Sequence, residues 1–319
     1  MNTTLRIRRF NPEQKSPSPF FQDYQLDLEA SDSVLDGLIK VRETLDDSLA
    51  LRCSCRGAIC GSCGMRINGH AALACKTKII SATTESHTIQ VEPMNNMPVI
   101  KDLITDMSLF WEKIRQIQPW LQPAKPIPEA EHLAPAEAMN HLSSVMTCIM
   151  CGVCVSDCTV LEVDSKFIGP AALAKAYRFV ADPRDAATKQ RLTTLNEPEG
   201  MWDCTRCMEC IQVCPKGVEP MDRIMSLRAM GFDEHIPSTN GSRHAESFTD
   251  IIEHKGMLDE PMLAIRTFGF RNVGRLIGMI PIAIQSFRRK KIAPSGPLHR
   301  AIPGIDQIRR LFKRVRSHS

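Results

Sequence analysis

Thirteen cysteines constrain this chain more than any other feature, because twelve of them fall into three short runs. The first is Cys55-x4-Cys60-x2-Cys63, with Cys75 after eleven intervening residues. The second is Cys148-x2-Cys151-x2-Cys154-x3-Cys158, and the third is Cys204-x2-Cys207-x2-Cys210-x3-Cys214, followed by Pro215. Thiols packed this densely must turn toward a shared centre, so the chain has to fold around whatever they hold.

Two chemistries compete for such thiols: disulfides in an oxidising compartment, and metal or redox chemistry in a reducing one. The start, Met1-Asn2-Thr3-Thr4-Leu5-Arg6, has no apolar stretch behind it, and Arg8-Arg9 is followed by none. Neither a secretory nor a twin-arginine signal is expected. The cysteines are therefore expected to be reduced and to bind metal.

The first spacing is the plant-type [2Fe–2S] pattern. Its loop, Cys55-Arg56-Gly57-Ala58-Ile59-Cys60-Gly61-Ser62-Cys63-Gly64, is rich in glycine. Glycine permits the backbone angles that turn three thiolates inward and frees N–H groups to face sulfur. The second and third runs follow the bacterial ferredoxin pattern, in which the fourth cysteine serves the other cluster. Cys148, Cys151, Cys154 and Cys214 are thus expected to hold one [4Fe–4S]. Cys158, Cys204, Cys207 and Cys210 are expected to hold the second, distal one. Zinc fits less well, because it usually takes two separated CxxC knuckles. The twelve cysteines divide into three sets of four, and only Cys53 is left over. It reads as a stray thiol beside the first loop, with ligand exchange the lesser reading.

Around these runs the chain divides into four stretches. Residues 1–105 read as a small mixed domain. Leu5, Ile7 and Tyr24, Leu26, Leu28 alternate as a strand pair, Ser33 caps a helix with Asp36 three residues on, and Thr88–Glu92 is the last strand. Ile100, Leu103, Ile104, Met107, Phe110, Trp111 and Ile114 follow a helical period. Residues 106–135 hold the end of that helix and a linker with Pro119, Pro123, Pro126, Pro128 and Pro135. Residues 136–232 read as helical, with Pro170 and Pro220 at first-turn positions. Residues 233–319 form a basic extension.

That extension is electrically distinct. From Met262 onward thirteen basic residues face the single acid Asp306, a charge of +12, which leaves −8 on the rest of a chain of net charge +4. A basic tail on an acidic body suggests a surface for anionic lipid or an acidic partner. Nucleic acid is not expected, because aromatic platforms for bases are scarce. The apolar run Leu276–Ile284 is too short to span a bilayer, which takes about 20 residues. No nucleophile–base pair or phosphate loop stands out, and His70, His141 and His299 read as surface or cap residues. The chain is expected to move electrons, with no catalytic residue of its own.

The residues also resemble a family. Cys55 to Cys75, Pro98-Val99-Ile100-Lys101-Asp102-Leu103, Lys166-Phe167-Ile168-Gly169-Pro170-Ala171, Tyr177-Arg178-Phe179 and Cys214-Pro215-Lys216-Gly217 are similar to the iron–sulfur subunit of succinate dehydrogenase/fumarate reductase, over about residues 4 to 230. The resemblance implies an α+β chain: an N-terminal β-grasp plant-type ferredoxin domain followed by an α-helical ferredoxin domain. It implies a flavoprotein partner that carries the FAD, where succinate and fumarate interconvert. It also implies a peripheral place on the cytoplasmic side of the inner membrane.

Two departures qualify the resemblance. Common members lack a cysteine at the match of Cys207 and hold a [3Fe–4S] cluster with the matches of Cys158, Cys204 and Cys210; here [4Fe–4S] is expected, with [3Fe–4S] the alternative. The quinone-site proline, tryptophan and histidine of common members are replaced by Thr159, Val163 and Thr205. Both departures resemble a non-classical branch that pairs with a cysteine-rich subunit of the heterodisulfide reductase type instead of a haem-bearing membrane anchor. The stretch from Asn240 to Pro261 resembles the small ferredoxin subunit of heterodisulfide reductase. Two functions follow: an electron-transfer subunit working toward a quinone or membrane-associated partner, or a subunit of a heterodisulfide-reductase-like or thiol-linked fumarate reductase.

Overall fold

The computed structural model describes residues 1–126, 129–269, 272–289 and 301–317. It has two compact units, Met1–His235 and Ile236–Ser319.

The alternation of the first stretch becomes a sheet. β1 (Asn2–Arg9) pairs antiparallel with β2 (Phe20–Asp27), Leu5 opposite Tyr24 and Thr3 opposite Leu26. α1 (Val34–Thr44) follows, started by a capping box in which the Ser33 hydroxyl accepts from Asp36 N and the Asp36 carboxylate from Ser33 N. Then come β3 (Gly64–Ile67), β4 (His70–Leu73), the single turn α2 (Ile79–Ala82) and β5 (Thr88–Glu92). β5 runs parallel to β1, Leu5 beside Ile89 and Ile7 beside Val91. The strand order is β2–β1–β5–β3–β4, the β-grasp arrangement. α1 buries Val34, Leu35, Leu38, Ile39 and Val41 in the core shared with Leu5, Ile7, Ile89 and Val91.

The helical period from Ile100 to Ile114 predicts one helix, and the structure splits it. Val99–Lys101 (β6) and Ile104–Thr105 (β7) form a hairpin, and α3 starts only at Ser108 and ends at Gln116. Asp102 sits at the turn with φ 46°, and its buried carboxylate accepts from Arg9 Nε at 2.9 Å, Phe10 N at 3.0 Å and Ala50 N at 2.9 Å. Bonds to a charged group contribute about 1.5–3 kcal/mol each. A helix preference is only a few tenths of a kcal/mol, about 0.7 at most, per ordinary residue. Tertiary bonding therefore overrides the pattern.

The linker is tied at its start. Arg191 donates to the carbonyls of Ile117, Gln118 and Trp120 at 2.9, 2.8 and 2.7 Å, and Gln122 N donates to Asp185 at 3.0 Å. The helical part then runs α4 (Ala136–Met146), α5 (Val153–Ser156), α6 (Thr159–Val163), α7 (Pro170–Val180), α8 (Thr188–Leu195), a 3₁₀ turn (Met201–Asp203), α9 (Glu209–Gln212) and α10 (Pro220–Asp233). Prolines open α7 and α10, as their fixed φ favours. α7 is buried almost all round, and its four alanines let α3, α4, α5, α8 and α10 approach closely.

The second unit holds α11 (Asn240–Lys255), α12 (Glu260–Phe268), α13 (Val273–Gly278), α14 (Ile280–Arg288) and α15 (Ile305–Arg316). α15 rests on α11, where Arg316 pairs with Glu253 at 2.6 Å. Among the described residues no helix is long and apolar enough to cross a membrane.

Candidate metal centres

The first run leaves the core as a loop between α1 and β3. Arg56, Ala58 and Gly61 are left-handed, with φ 54°, 55° and 73°. These reversals turn N–H groups inward. Gly57 N, Ile59 N and Cys60 N donate to Cys55 Sγ at 3.4, 3.3 and 3.3 Å, and Ala58 N donates to Cys75 Sγ at 3.3 Å. Ser62 Oγ lies 3.1 Å from Cys60 Sγ. That hydroxyl is the largest cause holding the Cys60 thiol down at about 6, backbone N–H groups adding to it. Burial pushes neighbouring Cys63 up to about 12. Sulfurs ringed by inward donors suit anionic ligands of a cluster.

The second and third runs share one backbone shape. The third and fifth residues of each are left-handed: Met150 (φ 55°) and Gly152 (φ 78°), then Arg206 (φ 60°) and Met208 (φ 69°). Three of these four carry side chains, which costs roughly 1–2 kcal/mol each. Alternating handedness makes a concave nest of N–H groups that favours an anion.

Each nest faces a cavity, and the two cavities draw on both runs. One, partly open to solvent, is lined by Cys148, Cys151, Cys154 and Cys214. The other is lined by Cys158, Cys204, Cys207 and Cys210. Among the described residues no three His, Cys, Asp or Glu side chains close round a single ion. The thiols instead line the two cavities in sets of four.

Burial dominates the electrostatics here. It pushes Cys151 up to about 11 and Cys210 up to about 12, and raises both Cys158 and Cys154 above the usual thiol range. Such thiols ionise only when a cation takes the place of the proton, as iron does on binding. The donor set therefore fits iron–sulfur groups.

Contacts across the first unit bring the sets together. Lys76, next to Cys75, donates to the Pro215 carbonyl, next to Cys214, at 3.0 Å. Asp157, next to Cys158, accepts from Ala71 N of β4 at 2.7 Å. Asn96 Nδ2 donates to the carbonyls of Val155, Ser156 and Cys158 at 2.8, 3.1 and 3.1 Å. Sequence reasoning missed Asn96 and Ser62. Ser62 stands inside the first run and was open to notice, whereas Asn96 carries no local signal.

Cys53 packs against the β-grasp core and lines neither cavity. His70 and His141 are exposed, and His299 lies outside the described residues. Val163 is 91% exposed, Thr159 is exposed, and Thr205 lines the cavity of Cys207.

Comparison with known proteins places the chain in a family. Residues 4–112 match a 2Fe-2S iron-sulfur cluster binding domain, and residues 144–218 match a 4Fe-4S dicluster domain. The chain is 39% identical over 222 residues to a fumarate reductase iron-sulfur subunit of Mycobacterium tuberculosis, covering 69% of this chain and 89% of that one. It is 37% identical over 234 residues to the mitochondrial succinate dehydrogenase [ubiquinone] iron-sulfur subunit of Candida glabrata, covering 72% and 92%. Among solved structures, a chain of the Mycobacterium smegmatis Sdh1 complex in the apo form superposes with a TM-score of 0.67 at 27% identity, covering 73% of this chain and 96% of that one. With its [2Fe–2S] and [4Fe–4S] binding domains on one α+β frame, the chain belongs to the iron–sulfur subunits of the succinate dehydrogenase/fumarate reductase family, the electron-transfer subunits of those oxidoreductases.

Proposed function

We propose that three sets of four cysteines hold one [2Fe–2S] and two [4Fe–4S] clusters, in a chain that carries electrons between two partners. The sets are Cys55, Cys60, Cys63, Cys75; Cys148, Cys151, Cys154, Cys214; and Cys158, Cys204, Cys207, Cys210. On one side stands a flavoprotein subunit bearing FAD, where succinate and fumarate interconvert. On the other stands a quinone or a membrane-associated partner. One observation carries the reading: each of two cavities takes three cysteines from one run and the fourth from the other. When bound, the clusters supply one-electron carriers. The chain's own residues hold them, aim N–H groups at the ligand sulfurs, and keep water from the buried thiols.

Anaerobic reconstitution tests the assignment. Metal analysis is expected to give 2 + 4 + 4, about ten irons per chain. Clearly fewer irons, with zinc in their place, would overturn it.

A second reading has its own support. Cys207 lines the distal cavity with three other cysteines, and the family resemblance puts Thr159 and Val163, both exposed, at the usual quinone-site positions. These favour a subunit of the heterodisulfide-reductase-like or thiol-linked type. Purification of the native complex decides: a cysteine-rich partner supports it, and a haem-bearing anchor supports the first reading. In either case the basic tail suits the anionic cytoplasmic face of the inner membrane, where the chain would be peripheral.

A further inference from the structure

Cys158 stands at a crossing. The three cysteines before it, Cys148, Cys151 and Cys154, line one cavity, and Cys158 lines the other. The turn from the end of α5 at Ser156 to the start of α6 at Thr159 carries it across, so that turn sets where its thiol arrives. The bonds around Cys158 within the turn are long: Cys158 N donates to Val155 O at 3.3 Å, and Glu162 N donates to Cys158 O at 3.2 Å. A side chain from the first ferredoxin part closes on the same carbonyls. Asn96 Nδ2 donates to Val155 O at 2.8 Å, to Ser156 O at 3.1 Å and to Cys158 O at 3.1 Å. Three acceptors face one amide nitrogen with two hydrogens, so the bonds are shared. Asn96 reaches them with φ 59°, a left-handed backbone that asparagine adopts more readily than most side chains.

The matching turn of the third run is built differently. Cys214 also crosses, because Cys204, Cys207 and Cys210 line the cavity that it leaves. Among the described residues no side chain donates to the carbonyls of Ile211, Gln212 or Cys214. Pro215 follows Cys214 instead. Its ring fixes its own φ and restricts the residue before it. Thr159, which follows Cys158, supplies no such constraint.

We infer that Asn96 is a positioning residue for the distal cluster: its amide fixes the Cys158 turn from outside, as Pro215 fixes the Cys214 turn from within the chain. The inference rests on the ligand reading above. Asn96 holds the backbone of a ligand and does not line the distal cavity itself. Partners of this kind orient a ligand, and losing one typically weakens metal binding roughly 10- to 100-fold.

The test follows the EPR signal of each centre in the full chain, reconstituted without air, while a chelator strips its iron. Asn96→Gly keeps the left-handed backbone and loses the amide. Asn96→Asp keeps the shape and turns a carboxylate toward three carbonyl oxygens. Asn95→Ala is the control, because Asn95 bonds Ser156 Oγ through its backbone N. Thr159→Pro, added to Asn96→Gly, puts a ring after Cys158; position 159 opens α6, where proline is tolerated, and Cys158 is already extended with ψ 109°. We expect Asn96→Gly to lose the distal signal about tenfold faster, with the other two rates unmoved. Asn96→Asp should lose it at least as fast, and Asn95→Ala should match the parent. The added proline should bring the distal rate most of the way back, which repair of a general packing defect would not do. An unmoved distal rate in Asn96→Gly overturns the inference, as does equal acceleration at all centres or no recovery with the proline. If Asn96→Gly does not fold, Asn96→Asp, alone and with Thr159→Pro, is read by the same criteria. Absence of any distal signal in the parent would instead sink the ligand reading.

Discussion

Gly61 and Cys151 touch backbone to backbone: a Cβ built on Gly61 would stand 2.7 Å from the Cys151 Cβ and 2.9 Å from its Cα. The loop of the first set thus rests directly on the nest of the second. Gly61 also has φ +73°, a conformation that side chains disfavour.

Gly61→Ala is therefore expected to separate the two loops. Left-handed strain costs roughly 1–2 kcal/mol, and the forced overlap adds about 1–3 kcal/mol. Gly69→Ala is the control, because Gly69 has φ +86° but nothing within 4 Å of a built Cβ. Urea unfolding of the reconstituted chains should show the larger loss at position 61. The magnetic interaction between the first two centres should weaken only there. Equal losses at the two positions would mean that the contact contributes nothing.

Much of this frame was legible because its signals are local. The Ser33–Asp36 capping box needs only four residues, and the β1–β2 alternation only a pair of short segments. Pro170 and Pro220 mark helix starts by their own geometry. Spacing also suggested grouping Cys158 with Cys204 and Cys148 with Cys214; each pair lines one cavity, and its ligand role is the proposal made above. Signals that depend on distant partners stayed hidden. Nothing in residues 99–105 announces that Arg9 will draw Asp102 into a hairpin turn. Arg206 and Met208 are not residues that advertise a left-handed backbone, yet they adopt it because the nest requires it.

The end of α7 makes a pH prediction. Asp182, whose side chain is fully buried, accepts from the Arg184 guanidinium at 2.8 and 2.7 Å, from Arg184 N at 3.0 Å, and from Arg178. The Arg184 side chain leads the causes that hold this carboxylate well below its usual range, opposed by burial. A depressed folded value stabilises the protein fully above the unfolded value of about 3.9, and the contribution is lost as pH falls through the folded value. Unfolding midpoints of the parent should therefore begin to fall below about pH 5 and go on falling through pH 3 and beyond. Asp182→Asn should begin less stable at neutral pH and lose less over that interval. Parallel curves for the two proteins would rule out Asp182 as a source of the acid sensitivity.

The tail makes a prediction about salt. α13 and α14 leave Val273, Ile277, Ile280, Ile284 and Phe287 exposed by half or more, and Arg275, Arg288 and Arg289 are exposed with them. Leu311 and Val315 of α15 are exposed beside its basic residues. Each basic residue near an anionic surface contributes about 1 kcal/mol, and salt screens it. The complex should float with vesicles rich in anionic lipid, bind neutral vesicles weakly, and come off in high salt. If it stays bound in high salt and leaves only with detergent, a membrane subunit is the tether and the tail is not.

Cys207 separates the two proposed readings most sharply. It is the exposed member of a set whose Cys158 and Cys210 are buried. Three thiolates at Cys158, Cys204 and Cys210 suffice for a three-iron group, so Cys207→Ser should fold. It should lose about one iron per chain and gain an oxidised-state EPR signal that the parent lacks. The distal potential should rise, because the net charge and cluster type set it. Cys53→Ser, outside both cavities, should change neither iron content nor signal, and it guards against a general effect of removing a thiol. Should the parent, prepared without air, already show a stoichiometric oxidised three-iron signal, then Cys207 is no ligand. The heterodisulfide-type reading would lose its main support, and the quinone-linked reading would stand.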